Sequence, residues 1–163
     1  MKNKDKLALC LTALIPLTLS PREAGAQLSI VVSASVGLNF GTFTAGPAGG
    51  TVVMTPSGAR SVTGSVSLVG GAGLESPANF SVSGSTAVAM DVSVTSPAFP
   101  ITNGTDTMTV NAFNLVADGA GPANTITLAA NPSTFALGAT LNVNAGQGSG
   151  VYVGNYVLSV NYQ

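Results

Sequence analysis

Leu28-Ser29-Ile30-Val31-Val32-Ser33-Ala34-Ser35-Val36-Gly37-Leu38-Asn39-Phe40 places an apolar residue at every second position seven times over. Leu28, Ile30, Val32, Ala34, Val36, Leu38 and Phe40 fall on one parity. The other parity is polar or small apart from Val31. In an extended chain successive side chains point to opposite faces, so this alternation predicts a strand with one apolar face. The run is longer than one ordinary strand of about 5–6 residues. Its first half, 27–37, is therefore a candidate for leaving its own domain and pairing with a neighbour's sheet edge.

The same period continues through the chain. Val62, Gly64, Val66 and Leu68 keep it, as do Ala78, Phe80 and Val82, and Val88, Met90, Val92 and Val94. Met108, Val110 and Ala112 follow, and Phe113 and Leu115 change phase as a bulge would make them. Phe135, Leu137, Leu141 and Val143 come next, then Tyr152, Tyr156, Leu158, Val160 and Tyr162. Turn signals separate these runs: Pro47 to Gly50, Pro56 to Gly58, Gly70 to Gly73, Asn103-Gly104, Asp118 to Pro122 and Gly146 to Gly150. No stretch keeps a helical period over three turns. Strands at this spacing without helices predict an all-β, antiparallel sandwich or barrel.

Composition limits the chemistry. Among 163 residues there are five Lys and Arg, six Asp and Glu, one Cys and no His or Trp. Without His, the commonest general base and metal ligand is missing. Without a basic excess, phosphate neutralisation is weak, and nucleic acid is a poor partner. The reading is of a non-enzyme with no cofactor.

Lys2, Lys4 and Lys6 precede an apolar run from Leu7 to Leu19, and Ala24-Gly25-Ala26 forms a small-x-small site before Gln27. That layout predicts a secretory signal peptide over 1–26 and a single domain over 27–163. The apolar run is shorter than the roughly 20 residues of a membrane-spanning helix. Cys10 lies within it behind Leu9, which is not the small residue a lipoprotein signal wants. After cleavage the chain keeps Arg60 as its single cation beside Glu75, Asp91, Asp106 and Asp118. It keeps no Cys, so no disulfide is available.

The four acids are far apart in sequence and make no paired-carboxylate motif. Asp106, in Asn103-Gly104-Thr105-Asp106, offers one carboxylate where calcium sites use several. Arg60 reads first as a strand-start residue covering apolar surface with its stem, and second as a salt-bridge partner. Asn79-Phe80-Ser81 and Asn103-Gly104-Thr105 match a glycosylation sequon, a weak signal. Tyr152, Tyr156 and Tyr162 share one parity and predict core packing, with a sugar-stacking patch as the alternative if the rings are exposed.

Two regions carry a resemblance. Leu38-Asn39-Phe40-Gly41-Thr42-Phe43, Gly49 to Arg60, Thr63 to Leu68 and Ala78 to Gly84 stand in order toward the start. Gly150-Val151-Tyr152-Val153-Gly154-Asn155-Tyr156 and Val160-Asn161-Tyr162 close the chain. Together they resemble the bacterial exported family called domain of unknown function 4402, over nearly the whole mature chain. That family in turn resembles chaperone–usher-type pilins and spore-coat-U-like subunits. In those proteins an incomplete immunoglobulin-like sandwich is completed by the N-terminal extension of the next subunit. Their last strand carries a penultimate aromatic and a Gly fourteen places from the end, positions held here by Tyr162 and Gly150. The Cys pair of many pilins is absent, and the segment before Leu38 is short.

The resemblance implies an immunoglobulin-like, pilin-like sandwich. The implied function is that of a structural subunit of a fimbria-like surface appendage, assembling by β-strand addition. Its implied partners are other pilin-like subunits with a periplasmic chaperone and usher. The route is export through the inner membrane and the periplasm to the cell surface, with no membrane span in the mature protein. Leu28, Ile30, Val32, Ala34 and Val36 would form the assembly strand. Gly150, Tyr152, Tyr156, Leu158, Val160 and Tyr162 would belong to a final strand, 151–162, at the centre of the core. The competing reading is a monomeric exported adhesin-like or carbohydrate-binding module. A small outer-membrane barrel fits poorly, since its aromatic girdles are not evident in the sequence. N-terminal sequencing of exported protein should begin at Gln27 or within a few residues of it. Material that still starts at Met1 would refute the signal peptide.

Overall fold

The computed structural model describes residues 30–70, 74–84, 89–117, 123, 125–128 and 132–163. These residues form strands β1 (Ile30–Val36), β2 (Phe43–Met54), β3 (Arg60–Leu68), β4 (Ala78–Gly84) and β5 (Met90–Val94). They continue with β6 (Ala98–Thr102), β7 (Thr107–Ala117), β8 (Thr125–Leu128), β9 (Ser133–Val143) and β10 (Leu158–Tyr162). No helix occurs among the described residues, and every strand pair is antiparallel. The all-β, antiparallel expectation holds.

One sheet has seven strands and the other three. β9 organises the larger sheet. On one side Ser133 to Leu137 pair with β4, and Ala139 to Val143 pair with β2. On its other side β9 pairs with β7 along most of its length. β1 extends the sheet beyond β4, β3 beyond β2, and β6 beyond β7. The smaller sheet runs β10-β5-β8.

Alternation fills a single core between the sheets. Val52 and Met54, Ala78, Phe80 and Val82, and Phe135, Leu137, Leu141 and Val143 are buried from the larger sheet. Met90, Val92, Ile126 and Leu128 are buried from the smaller. Phe80 and Phe135 stand opposite each other in the ladder and stack at 4.9 Å between ring centroids. No polar or charged residue is fully buried among the described residues. The two faces therefore close on dispersion and apolar burial, roughly 1.5–3 kcal/mol for each large side chain.

The phase change read at Phe113 is a bulge. Ala112 and Phe113 together oppose the single residue Ala139 of β9, between the pairs Asn111–Thr140 and Asn114–Gly138. Ala112 takes φ 48° and faces outward, which returns Phe113 to the core. Gly138 lies beside this bulge. A Cβ there would fall on Met54 O and the Thr55–Pro56 backbone, so glycine lets the end of β2 pass.

Several sequence expectations are corrected. Pro47 to Gly50 is no chain reversal: four residues of β2, 46–49, loop out against Ser65 alone, and the strand then resumes. Ser65 makes that excursion tolerable. Its Oγ accepts from Ala48 N at 3.0 Å and donates to Gly49 O at 3.2 Å. β6 was not foreseen because Pro100 argues against a strand. The residue is accommodated because β6 is an edge strand, which has no need of that N–H. The final strand begins only at Leu158, and it lies at the edge of the smaller sheet, not at the centre of the core. The Pro56 to Gly58 and Asn103-Gly104 turns are the hairpins β2–β3 and β6–β7. The Asp118 to Pro122 turn, Val88 and residues 71–73 lie outside the described residues.

Leu137 is fully buried in the middle of β9, whereas Leu158 is half-buried on the edge strand β10. Leu137→Ala should cost about 2–5 kcal/mol in denaturant unfolding. Leu158→Ala should cost less, and exposed Asn161→Ala should stay within about 0.5 kcal/mol. Equal losses at Leu137 and Leu158 would mean that β10 is not an edge.

Candidate functional site

The segment from Ile30 to Val36 forms β1, an outermost strand whose only strand partner among the described residues is β4. Ile30 faces Gly84, Val32 faces Val82, Ala34 faces Phe80, and the register slips between Ala34 and Val36. Ile30 is half-buried against the core; the other six residues are exposed, Val31 to 55 % and Val36 to 42 %. The even-numbered ladder therefore lies on this chain's own β4 and buries little. Leu28 lies outside the described residues.

The strand leaves through Gly37, which has open space around it, into a firmly held segment. Asn39 exchanges backbone hydrogen bonds with Ser76, at 2.8 and 2.9 Å. Asn39 Oδ1 accepts from Gly41 N at 2.8 Å. Arg60 then ties the segment down. Its Nη1 donates to Phe40 O at 2.8 Å and to Thr42 O at 3.3 Å, and its Nη2 lies 3.5 Å from Glu75 Oε1. The Arg60 side chain is only 9 % exposed. This corrects its first reading: the residue starts β3 as expected, but its guanidinium makes an ion pair and two carbonyl contacts. Gly41 at φ 70° leaves the space that Nη1 occupies. Glu75 was not foreseen as the partner; only the fold brings it to Arg60.

Beside this clamp lies a groove of about 850 Å³. One wall is Leu38 to Ala45, and the other is Gln147 to Tyr156. Phe99, Met108, Phe113 and Leu141 are among its lining residues. Exposed Leu74, Val151 and Val153 line it as well. Gly150 and Tyr152 thus belong to an irregular segment, joined to β6 by the Val153–Thr102 bridge. Tyr152, Tyr156, Leu158, Val160 and Tyr162 all pack half-buried against the core, while Val151, Val153 and Val157 face outward.

Tyr152 Oη donates to Gly148 O at 2.7 Å and accepts from Gln147 Nε2 at 2.8 Å. Tyr156 sits among Phe80, Phe99 and Phe113, with ring centroids 6.3–6.4 Å away. Burial raises its phenol pKa above the usual 10.0. Tyr162 closes the far end of the sandwich, where a Cβ on Gly84 would meet its hydroxyl. No group of three or more His, Cys, Asp or Glu that could hold a metal occurs among the described residues. No helix of the described residues is long and apolar enough to cross a membrane.

Because the folded state raises the Tyr156 pKa, it holds that proton more tightly than the unfolded chain does. The associated stability is present below pH 10 and is lost as pH rises through the folded value. Alkaline unfolding should show this decline, and Tyr156→Phe should flatten it. A late-titrating component in tyrosinate absorbance should vanish in the same variant. An unchanged alkaline profile would place that ring in water.

The profile of the family described as Domain of unknown function (DUF4402) matches residues 30–162. That span runs from the first described strand to the penultimate residue, and the chain belongs to this family. No curated protein and no solved structure matches the chain.

Proposed function

We propose that this member of the family is a non-catalytic structural subunit of a cell-surface appendage, exported through the periplasm and assembled by exchange of β1. The observation that carries the reading is the character of β1. It is an uncharged edge strand held to β4 by its backbone, with six of seven residues exposed. Monomeric sheets usually guard their edges with Lys or Pro, and β1 has neither. Here Val31, Val32 and Val36 stand exposed on the outermost strand of the larger sheet.

Such a strand can pair with β4 of its own domain or with β4 of the next. The same residue pairs form either way, as in domain swapping, and a head-to-tail exchange that does not close gives a filament. Gly37 supplies the hinge, and the Arg60 clamp holds Leu38 to Phe43 in the body while β1 departs. The sandwich is in this reading immunoglobulin-like and pilin-like, supported by two antiparallel sheets around one core. Its partners are further copies or related subunits, with a periplasmic chaperone covering the β4 edge before assembly. The export signal over 1–26 supports that route.

A second reading, a monomeric carbohydrate-binding or adhesin-like module, is favoured by the groove beside Tyr152 and Tyr156. Ser33 and Ser81 stand directly opposite in the β1–β4 ladder, at a separation that suits a disulfide. With both changed to Cys, protein oxidised as a monomer should stay monomeric, and reduced protein should polymerise. Oxidation after assembly should give detergent-stable ladders that a reductant collapses. Polymers formed equally well by the locked protein would overturn strand exchange. A wild-type protein that stays monomeric and is retained on a glycan matrix would establish the second reading.

A further inference from the structure

Three polar side chains meet on the outer face of the smaller sheet, from β8, from β5 and from the residue after β10. Met90, Val92, Ile126 and Leu128 point into the core, so Asp91 and Thr127 between them point out. Asp91 and Thr127 are directly opposite in the β5–β8 ladder. Thr127 Oγ1 donates to Asp91 Oδ1 at 2.6 Å. Gln163 Nε2 donates to the same Asp91 Oδ1 at 2.9 Å and lies 3.3 Å from Thr127 Oγ1. Gln163 N donates to Ala89 O at 3.0 Å, which fixes the residue that carries the carboxamide.

A hydroxyl, a carboxylate and a carboxamide in this order are a nucleophile, a base and an electrophile. The nucleophile and base are within the 2.6–3.2 Å at which a proton can be passed. One carboxylate oxygen touches both the attacking oxygen and the nitrogen that would leave. We propose that Thr127 and Gln163 join in an intramolecular ester cross-link, formed by the protein itself with Asp91 as proton carrier. Thr127 Oγ1 forms a bond to Gln163 Cδ while its proton passes to Asp91 Oδ1, and the carbonyl electron pair moves onto Oε1. On collapse the Cδ–Nε2 bond breaks, Asp91 returns the proton to nitrogen, and ammonia leaves. A hydroxyl and a primary amide become an ester and ammonia. Asp91 ends as it began, and no oxidant, metal or further reactant takes part.

The cross-link answers a need that the composition creates. The sequence holds no Cys after Cys10 and no Lys after Lys6, so neither a disulfide nor a lysine amide can staple the domain. β10 is a five-residue edge strand with β5 as its one strand partner among the described residues. The ester would reach from the end of β10 over β5 to β8, closing the outer strands of the sheet on each other. This inference does not depend on strand exchange.

The intact mass of the purified exported protein tests it. The expected mass is lower than the sequence mass by one ammonia. A Gln27 that becomes the N-terminus can lose ammonia too, so the loss is mapped by fragmentation and repeated in Gln27→Ser. A fragment joining Thr127 to Gln163, cleaved by hydroxylamine, is the supporting result. Thr127→Val should abolish the loss, Thr127→Ser should keep it, and Asp91→Asn should slow or abolish it. Circular dichroism would confirm that each variant is folded. Folded wild-type protein of full mass, or an ammonia loss that persists when Thr127→Val is combined with Gln27→Ser, would overturn the ester and leave a hydrogen-bonded latch.

Discussion

The larger sheet depends on β9 being shared. Eleven residues serve three partners, because β4 and β2 divide one side of the strand and β7 runs along the other. Two local devices make that sharing possible at the same point. Gly138 admits the end of β2, and the bulge at Ala112–Phe113 absorbs the mismatch in β7 opposite Ala139. Without the bulge the inward parity of β7 beyond Asn111 would shift, since a one-residue slip turns apolar side chains outward. The buried run Phe135, Leu137, Ala139, Leu141 and Val143 is thus both the apolar centre and the template for register.

The outer strands each have one neighbour in the described sheets. β1, β3, β6, β8 and β10 each lie at an end of the sheet paths, and none carries a Lys. The single described cation, Arg60, is spent on internal carbonyls and Glu75 and does not guard an edge. That placement has a consequence for motion. Arg60 fixes the chain just after β1, so under the proposed exchange separation of β1 would stop at Gly37 and would not spread into Phe40 and Phe43, which pack in or against the core.

The strand period was legible because nearly every inward position is apolar and nearly every outward one is Ser, Thr, Asn or Gly. The Phe113 bulge was legible for the same reason: where a regular alternation skips one position, a single extra residue is enough to bring the next side chain back to the core. The β2 excursion was not, because Pro47-Ala48-Gly49-Gly50 carries the chemistry of a reversal, and only Ser65 on the partner strand turns it into a detour. β6 hid behind Pro100. The place of the final strand was misjudged because aromatic richness signals packing, not position: Tyr156 is half-buried by ring contacts, while β10 has one neighbouring strand among the described residues. The Arg60–Glu75 pair and the Thr127–Asp91–Gln163 cluster join residues 15 to 72 positions apart, which periodicity alone cannot bring together.

The exposed side chains of β1 set how exchange would behave. A strand that buried a full ladder of Val and Ile would be held by several kcal/mol of apolar transfer. β1 inserts only Ile30 against the core, so it is held mainly by ladder hydrogen bonds, each worth about 0.5–1.5 kcal/mol net. The same bonds form in cis and in trans, so they cancel in the equilibrium between closed monomer and exchanged polymer. What would remain is the concentration of neighbours and any contact between bodies brought side by side. The slip marks where the closed strand fails to follow β4 on its way into Gly37. Under the proposed exchange the β1–β4 pairs would stay the same, and the two forms would differ in the path that the chain takes at Gly37.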